Sequence, residues 1–107
     1  LIDSGVAPIA GLSGDKVIHG PDLSFDSQNP KTRYTDGFGH GTHLAGIIAG
    51  HSQSFAGIAP DARRVSVKVA ARQGVRDVSR VIAGMDRVVA HAHRPPGRPR
   101  CPTGTCR

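Results

Sequence analysis

Glutamate and tryptophan are both absent from this chain of 107 residues, and only four aromatic side chains occur: Phe25, Tyr34, Phe38 and Phe55. Without large rings, a core must be assembled from Val, Ile, Leu and Ala. Without glutamate, the zinc-protease signature of two histidines four apart with a glutamate between them cannot be written. His40, His43 and His51 lie close along the chain and raise the question of a metal, but no metal site is expected from them. Long apolar runs are missing as well, so no membrane-spanning segment is expected. The two cysteines, Cys101 and Cys106, stand among prolines. They could bridge in an oxidising compartment, yet two thiols fall short of the four ligands of a structural zinc.

Acidic residues are few, eight aspartates against 14 Lys and Arg, for a net charge of +6. The excess is local. Residues 1–93 hold ten Lys and Arg with all eight Asp, or +2, whereas residues 94–107 hold four Arg and no acid, or +4. Clustered arginines can bind nucleic acid or anionic membrane. This tail, however, has no aromatic for stacking and no amphipathic period. It reads as a solvated, disordered end, and neither nucleic acid nor membrane is an expected partner.

Leu1-Ile2-Asp3 reads as the end of a buried strand running into a Ser4-Gly5 turn, which sets Asp3 where α/β sheets collect functional groups. Residues 7–38 are rich in Gly, Pro, Asp and Ser around an apolar centre at Val17-Ile18, a long surface excursion with one short strand. Asp22 is a turn residue within it, and Asp36-Gly37-Phe38-Gly39 a flexible approach to His40. Leu44, Ala45, Ile47 and Ile48 then fall at helical spacing, which predicts a helix over 40–50 with His40 at or just before its first turn and Gly50 at its C′ position. His43 is expected to be packed and bonded to backbone.

After the turn at Gly57-Ile58-Ala59-Pro60-Asp61, the alternation of Val65, Val67 and Val69 with polar residues predicts a strand. Arg72 to Arg76 forms a charged loop. Residues 77–92 predict a helix capped by Asp77, with Val78, Val81, Ile82, Met85, Val88, Val89 and Ala92 as its buried face. On that reading Met85 belongs to the core, and Arg80 and Arg87 to the open face.

Three motifs in order carry a resemblance. Leu1-Ile2-Asp3-Ser4-Gly5-Val6, Gly39-His40-Gly41-Thr42-His43-Leu44-Ala45-Gly46 and Gly57-Ile58-Ala59-Pro60-Asp61-Ala62 resemble the first landmarks of the subtilisin-like serine proteases, over about residues 1 to 93. The resemblance implies an α/β fold with a parallel sheet and flanking helices, of which this chain holds the N-terminal portion. It implies that Asp3 is the triad aspartate and His40 the general base of a secreted serine endopeptidase acting on proteins or peptides. It also brings a structural calcium into view at Asp22. A calcium needs six to eight oxygens, and the loop from Gly50 to Gly57 that would help supply them carries no carboxylate or asparagine. No cofactor is expected.

The pattern breaks after His93. A cleft-lining strand, the oxyanion asparagine and a nucleophilic serine in a Gly-Thr-Ser setting would follow in the family, and the Arg/Pro-rich residues 94–107 contain none of them. The codons of Thr105-Cys106-Arg107, read one base earlier, permit Asn-Leu-Ser, so the tail is expected to be either out of frame or native to a shortened gene product. The expected chain thus carries the Asp and His of a triad without the Ser and is inactive alone. The alternative is a non-catalytic product that binds peptides or a partner through its sheet edges.

Overall fold

The computed structural model describes residues 1–12 and 15–92. The expected tail at 94–107, with Cys101 and Cys106, lies outside the described residues. Among the described residues, three strands, β1 (Ile2–Asp3), β2 (Val17–Asp22) and β3 (Arg64–Lys68), form a parallel sheet in the order β1-β3-β2. Ile2 pairs with Val67 and Asp3 with Lys68 on one side of β3; Val17 to His19 pair with Arg64 to Ser66 on the other. Two helices, α1 (His40–Ala49) and α2 (Val78–His91), flank this sheet. The fold is therefore α/β with a parallel sheet, as expected.

Successive strand residues point to opposite faces, and β1 uses this to hold a helix on each. The Ile2 side chain lies against Gly84 of α2, and the Asp3 side chain lies against Gly41 of α1. On the α1 face, Ala45 packs with Val6 and Leu12, with Leu1 and Val17 at the margin. Gly50 caps α1 in an extended conformation, φ −66°, rather than occupying a left-handed C′ position.

β3 departs from the inside-outside alternation that its valines suggest. Val67 and Val69 are buried, but so are Arg64, Ser66 and Lys68, while Val65 is 46% exposed. A polar side-chain group buried against the sheet is costly without a partner, and among the described residues only Arg64 Nε lacks one. Lys68 Nζ sits 2.9 Å from Asp26 Oδ2 and donates to the Thr35 carbonyl at 2.6 Å. Arg64 Nη1 donates to the Ala49 carbonyl at the end of α1, where the helix dipole favours a cation.

Helix α2 corrects the expected burial of its apolar stripe. Asp77 caps it, accepting from the Ser79 amide at 2.9 Å, but the residue buried against the sheet is Gly84. A Cβ there would stand 3.2 Å from Ile2 and from Val69, so the missing side chain lets the helix settle close to β1 and β3. Met85 and Ile82 remain about half exposed and Val89 is 70% exposed. Met85 is thus not a core residue. Arg80, expected on the open face, is half-buried: its guanidinium stacks 3.9 Å over the Phe25 ring and donates to the Leu23 carbonyl. A sheet of three strands is too narrow to cover a whole helical stripe, and these polar contacts fix the rotation of α2 instead.

Candidate active site

Asp3 closes β1, and its position is set by the sheet: its carbonyl accepts the Val69 amide at 2.8 Å. The chain then turns through Ser4 and Gly5, the latter at φ 107°. The Ser4 amide donates to Asp3 Oδ1 at 2.7 Å. That fixed carboxylate meets the His40 ring, with Nδ1 2.8 Å from Oδ1 and 3.0 Å from Oδ2. An ionised carboxylate only accepts hydrogen bonds, so Nδ1 carries the proton and the neutral ring keeps its lone pair on Nε2. The His40 side chain is half exposed, whereas that of Asp3 is 12% exposed. The pair has one buried, oriented end and one end open to solvent.

His40 is the first residue of α1, behind Gly39 at φ 99°. Gly39 has no side chain with which to cap the helix, and Asp36 does so from three residues upstream. Its Oδ1 accepts the Phe38 amide at 3.1 Å and the Gly39 amide at 2.8 Å; its Oδ2 accepts the Thr42 amide at 2.8 Å and hydroxyl at 2.5 Å. The stretch 36–39 is therefore no flexible approach but a tied turn around a buried aspartate. Two further bonds fasten α1 to the segment after β1. The Gly41 amide donates to Ser4 Oγ at 2.9 Å, and the Ala7 amide donates to Thr42 Oγ1 at 2.9 Å. Sequence reasoning missed Asp36, Ser4 and Thr42. An Asp shortly before an uncapped helix start was the available signal.

Burial pushes the Asp36 carboxyl up, but hydrogen bonds from the Thr42 hydroxyl and the Gly39 and Thr42 amides outweigh it. They hold the group below its ordinary 3.8. A carboxyl depressed in the folded state stabilises the fold above its unfolded value and loses that contribution as pH falls through the folded one. The urea midpoint of the chain should accordingly fall on acidification below about pH 5, and fall less steeply in Asp36→Asn. Equal acid slopes for the two proteins would refute this. Asp61 and Asp77 shift in the same direction but are exposed on the surface, and both are present in each protein.

The other candidates lie elsewhere. His43, three residues beyond His40, is exposed rather than packed, and its ring makes no hydrogen bond among the described residues. It lines an open apolar groove of about 690 Å³ along α1 with Ile9, Thr42, Ile47, Phe55 and Ile58; neither Asp3 nor His40 borders that groove. His51 is exposed and joins Ala56 in a short backbone bridge. Among the described residues, no three His, Cys, Asp or Glu side chains converge as metal ligands do. Asp22 does not fit the calcium that the resemblance brings into view. Its Oδ1 accepts the Ser24 amide and hydroxyl at 2.9 and 2.6 Å, and its Oδ2 accepts the Tyr34 amide at 2.9 Å. These three bonds make Asp22 the turn residue that was expected, holding the segment that follows β2.

The subtilase family profile matches residues 1–95. Subtilisin-like protease 5 of Arthroderma benhamiae is 37% identical over 94 residues, which is 88% of this chain and 22% of that protein. The minor extracellular protease Epr of Bacillus subtilis is 34% identical over 93 residues, 85% of this chain and 13% of the relative. Among solved structures, a cold adapted subtilisin-like serine proteinase superimposes with a TM-score of 0.67 at 35% identity, over 83% of this chain and 30% of that one. The chain belongs to the subtilase family. It spans about a fifth of the length of the subtilisin-like protease 5 relatives that it matches.

Proposed function

We propose that residues 1–93 are part of a subtilase peptidase domain and supply the acid–base half of a serine endopeptidase. The 2.8 Å contact between His40 Nδ1 and Asp3 Oδ1 carries this reading. Asp3 holds the tautomer in which Nε2 is free, and it stabilises the imidazolium once a proton arrives. Nε2 takes the proton of a serine hydroxyl as that oxygen attacks a peptide carbonyl, then returns it to the leaving amine. The serine and the oxyanion donors belong to segments that these 107 residues do not contain. Proteins or peptides are the substrates, and the extracellular relative in Bacillus subtilis supports a secreted enzyme.

The chain as it stands should therefore neither hydrolyse a peptide nor react with a fluorophosphonate probe. Ser4 and Ser24 are committed to turns and hydrogen bonds, and no serine of the chain has a Gly-Thr-Ser setting. Stoichiometric labelling of any serine, abolished by His40→Ala, would show that the chain contains its own nucleophile and overturn the division proposed here.

A further inference from the structure

We propose that Asp36 is a positioning residue that sets His40 against Asp3. The inference rests on the reading of His40 as the general base and goes beyond it, because it assigns the placing of the histidine to a residue outside the pair.

The two helix starts are built differently. Asp77 caps α2 locally, accepting only from the Ser79 amide and hydroxyl, and it is exposed. Asp36 is 9% exposed and serves a wider structure. One carboxylate oxygen gathers the amides of Phe38 and Gly39 just before the helix, and the other gathers the amide and hydroxyl of Thr42 within it. His40 lies between these two sets of donors, so the backbone on both sides of it is held by one carboxylate. The Thr42 hydroxyl also accepts the Ala7 amide. A hydroxyl has one proton to give, and Asp36 takes it, which leaves the oxygen's lone pairs directed at Ala7. The chain Ala7 N–H to Thr42 O–H to Asp36 therefore has a single consistent direction. Its partner tether, Gly41 N–H to Ser4 Oγ, is buried. The two tethers join residues 4 and 7, just past Asp3, to residues 41 and 42, just past His40. Asp36 orients one of them and fixes the turn that feeds both.

Without the carboxylate, the helix start keeps its fold-wide packing through Ala45 but loses the bonds that fix its first turn. The His40 ring then samples positions in which Nδ1 is not bonded to Asp3. That freedom is read directly at the Nδ1 proton, which exchanges with water only when the bond to Asp3 opens.

The test is proton NMR on the full 107-residue chain, following the His40 Nδ1–H resonance and its rate of exchange with water. Folding is monitored in parallel by amide dispersion and urea midpoint. The unaltered chain, Asp77→Ala and Thr42→Ser should retain the low-field resonance with similar exchange, even where Asp77→Ala lowers the urea midpoint. Asp36→Asn, Asp36→Ala and Thr42→Val should speed exchange by at least about tenfold, in line with loss of hydrogen bonds to a charged group. Unchanged shift and exchange in folded Asp36→Asn would overturn the proposal. Equal acceleration by Asp77→Ala and Asp36→Asn would overturn it too, because the effect would then be general destabilisation. Unfolding of both Asp36 variants would reduce the residue to a stability element and likewise overturn it. Failure of a completed domain to cleave peptides would remove the functional reading and leave this result standing, whereas absence of the resonance in the unaltered chain would remove the pairing itself.

Discussion

Asp3→Asn, introduced into a catalytic domain completed by the remaining segments of a subtilase, should lower kcat on the order of 10⁴-fold with little change in KM. The scale is that of the same kinds of substitution in serine proteases, subtilisin itself among them. The reason lies in the donor inventory. Asn can present its amide NH₂ to His40 where Asp presents only acceptors. The ring then settles with its proton on Nε2, and the lone pair that should receive the serine proton is turned inward. His40→Ala removes the base altogether and should cost about 10⁶-fold. The two losses should not add, since a triad member without its partners contributes little. A completed domain that retains more than a tenth of its kcat after Asp3→Asn would show that Asp3 does not orient the base.

Gly41→Ala should be the most damaging substitution of a single methyl in the fold. A Cβ at this position collides with the Gly5 carbonyl oxygen and stands 3.2 Å from the Asp3 Cβ and Oδ1. The first obstacle is backbone of the turn that follows β1, and the second is a carboxylate held by the Ser4 amide and His40, so neither can rotate away. Overpacking a tight site costs about 1–3 kcal/mol, and a backbone clash of this kind belongs at or above the top of that range. Gly46, five residues later in the same helix, has nothing within 4 Å of its virtual Cβ. Gly46→Ala should stabilise by roughly 0.5–1 kcal/mol, the ordinary gain of alanine over glycine in a helix. Urea midpoints of the two variants measured side by side would decide the matter. Similar values for both would mean that α1 does not approach β1 as closely as described.

The parts of the site that could be read from sequence were those with a local signature. The apolar spacing of Leu44, Ala45 and Ile48 announces α1 and puts His40 at its start, and Leu1-Ile2 ahead of a Ser-Gly turn announces the strand end that carries Asp3. Their convergence follows because strand ends and helix starts meet on the same rim of a parallel sheet. What could not be read depends on contacts distant in sequence. Nothing near Val81 or Met85 reveals that α2 seats on Gly84, since the choice is made by Ile2 and Val69. The alternation of β3 misleads about burial because Lys68 finds Asp26 and Thr35 some 33 to 42 positions upstream. Asp36 looked like one more loop residue because its four donors acquire meaning only when α1 is docked. The expectation of a packed His43 bonded to backbone fails because in space that side of α1 opens onto the groove.

The strand order has a consequence for the timing of assembly. Among the strands of the described residues, β3 is the latest in sequence and lies in the middle of the sheet. Ile2 pairs with Val67, 65 positions later, and Val17 with Arg64, 47 positions later. Neither early strand has a partner until residue 68 has left the ribosome, a delay on the order of several seconds at about 5–20 residues per second. The junction of β1 with α1 is different. Its tethers run from Ser4 and Ala7 to Gly41 and Thr42, so it can close once residue 49 has emerged, before any strand is paired. Nascent chains should thus tether α1 to residues 4 and 7 before the sheet that sets Asp3 has formed. The central strand follows both of its neighbours and covers one edge of each, an edge open to misassociation until then.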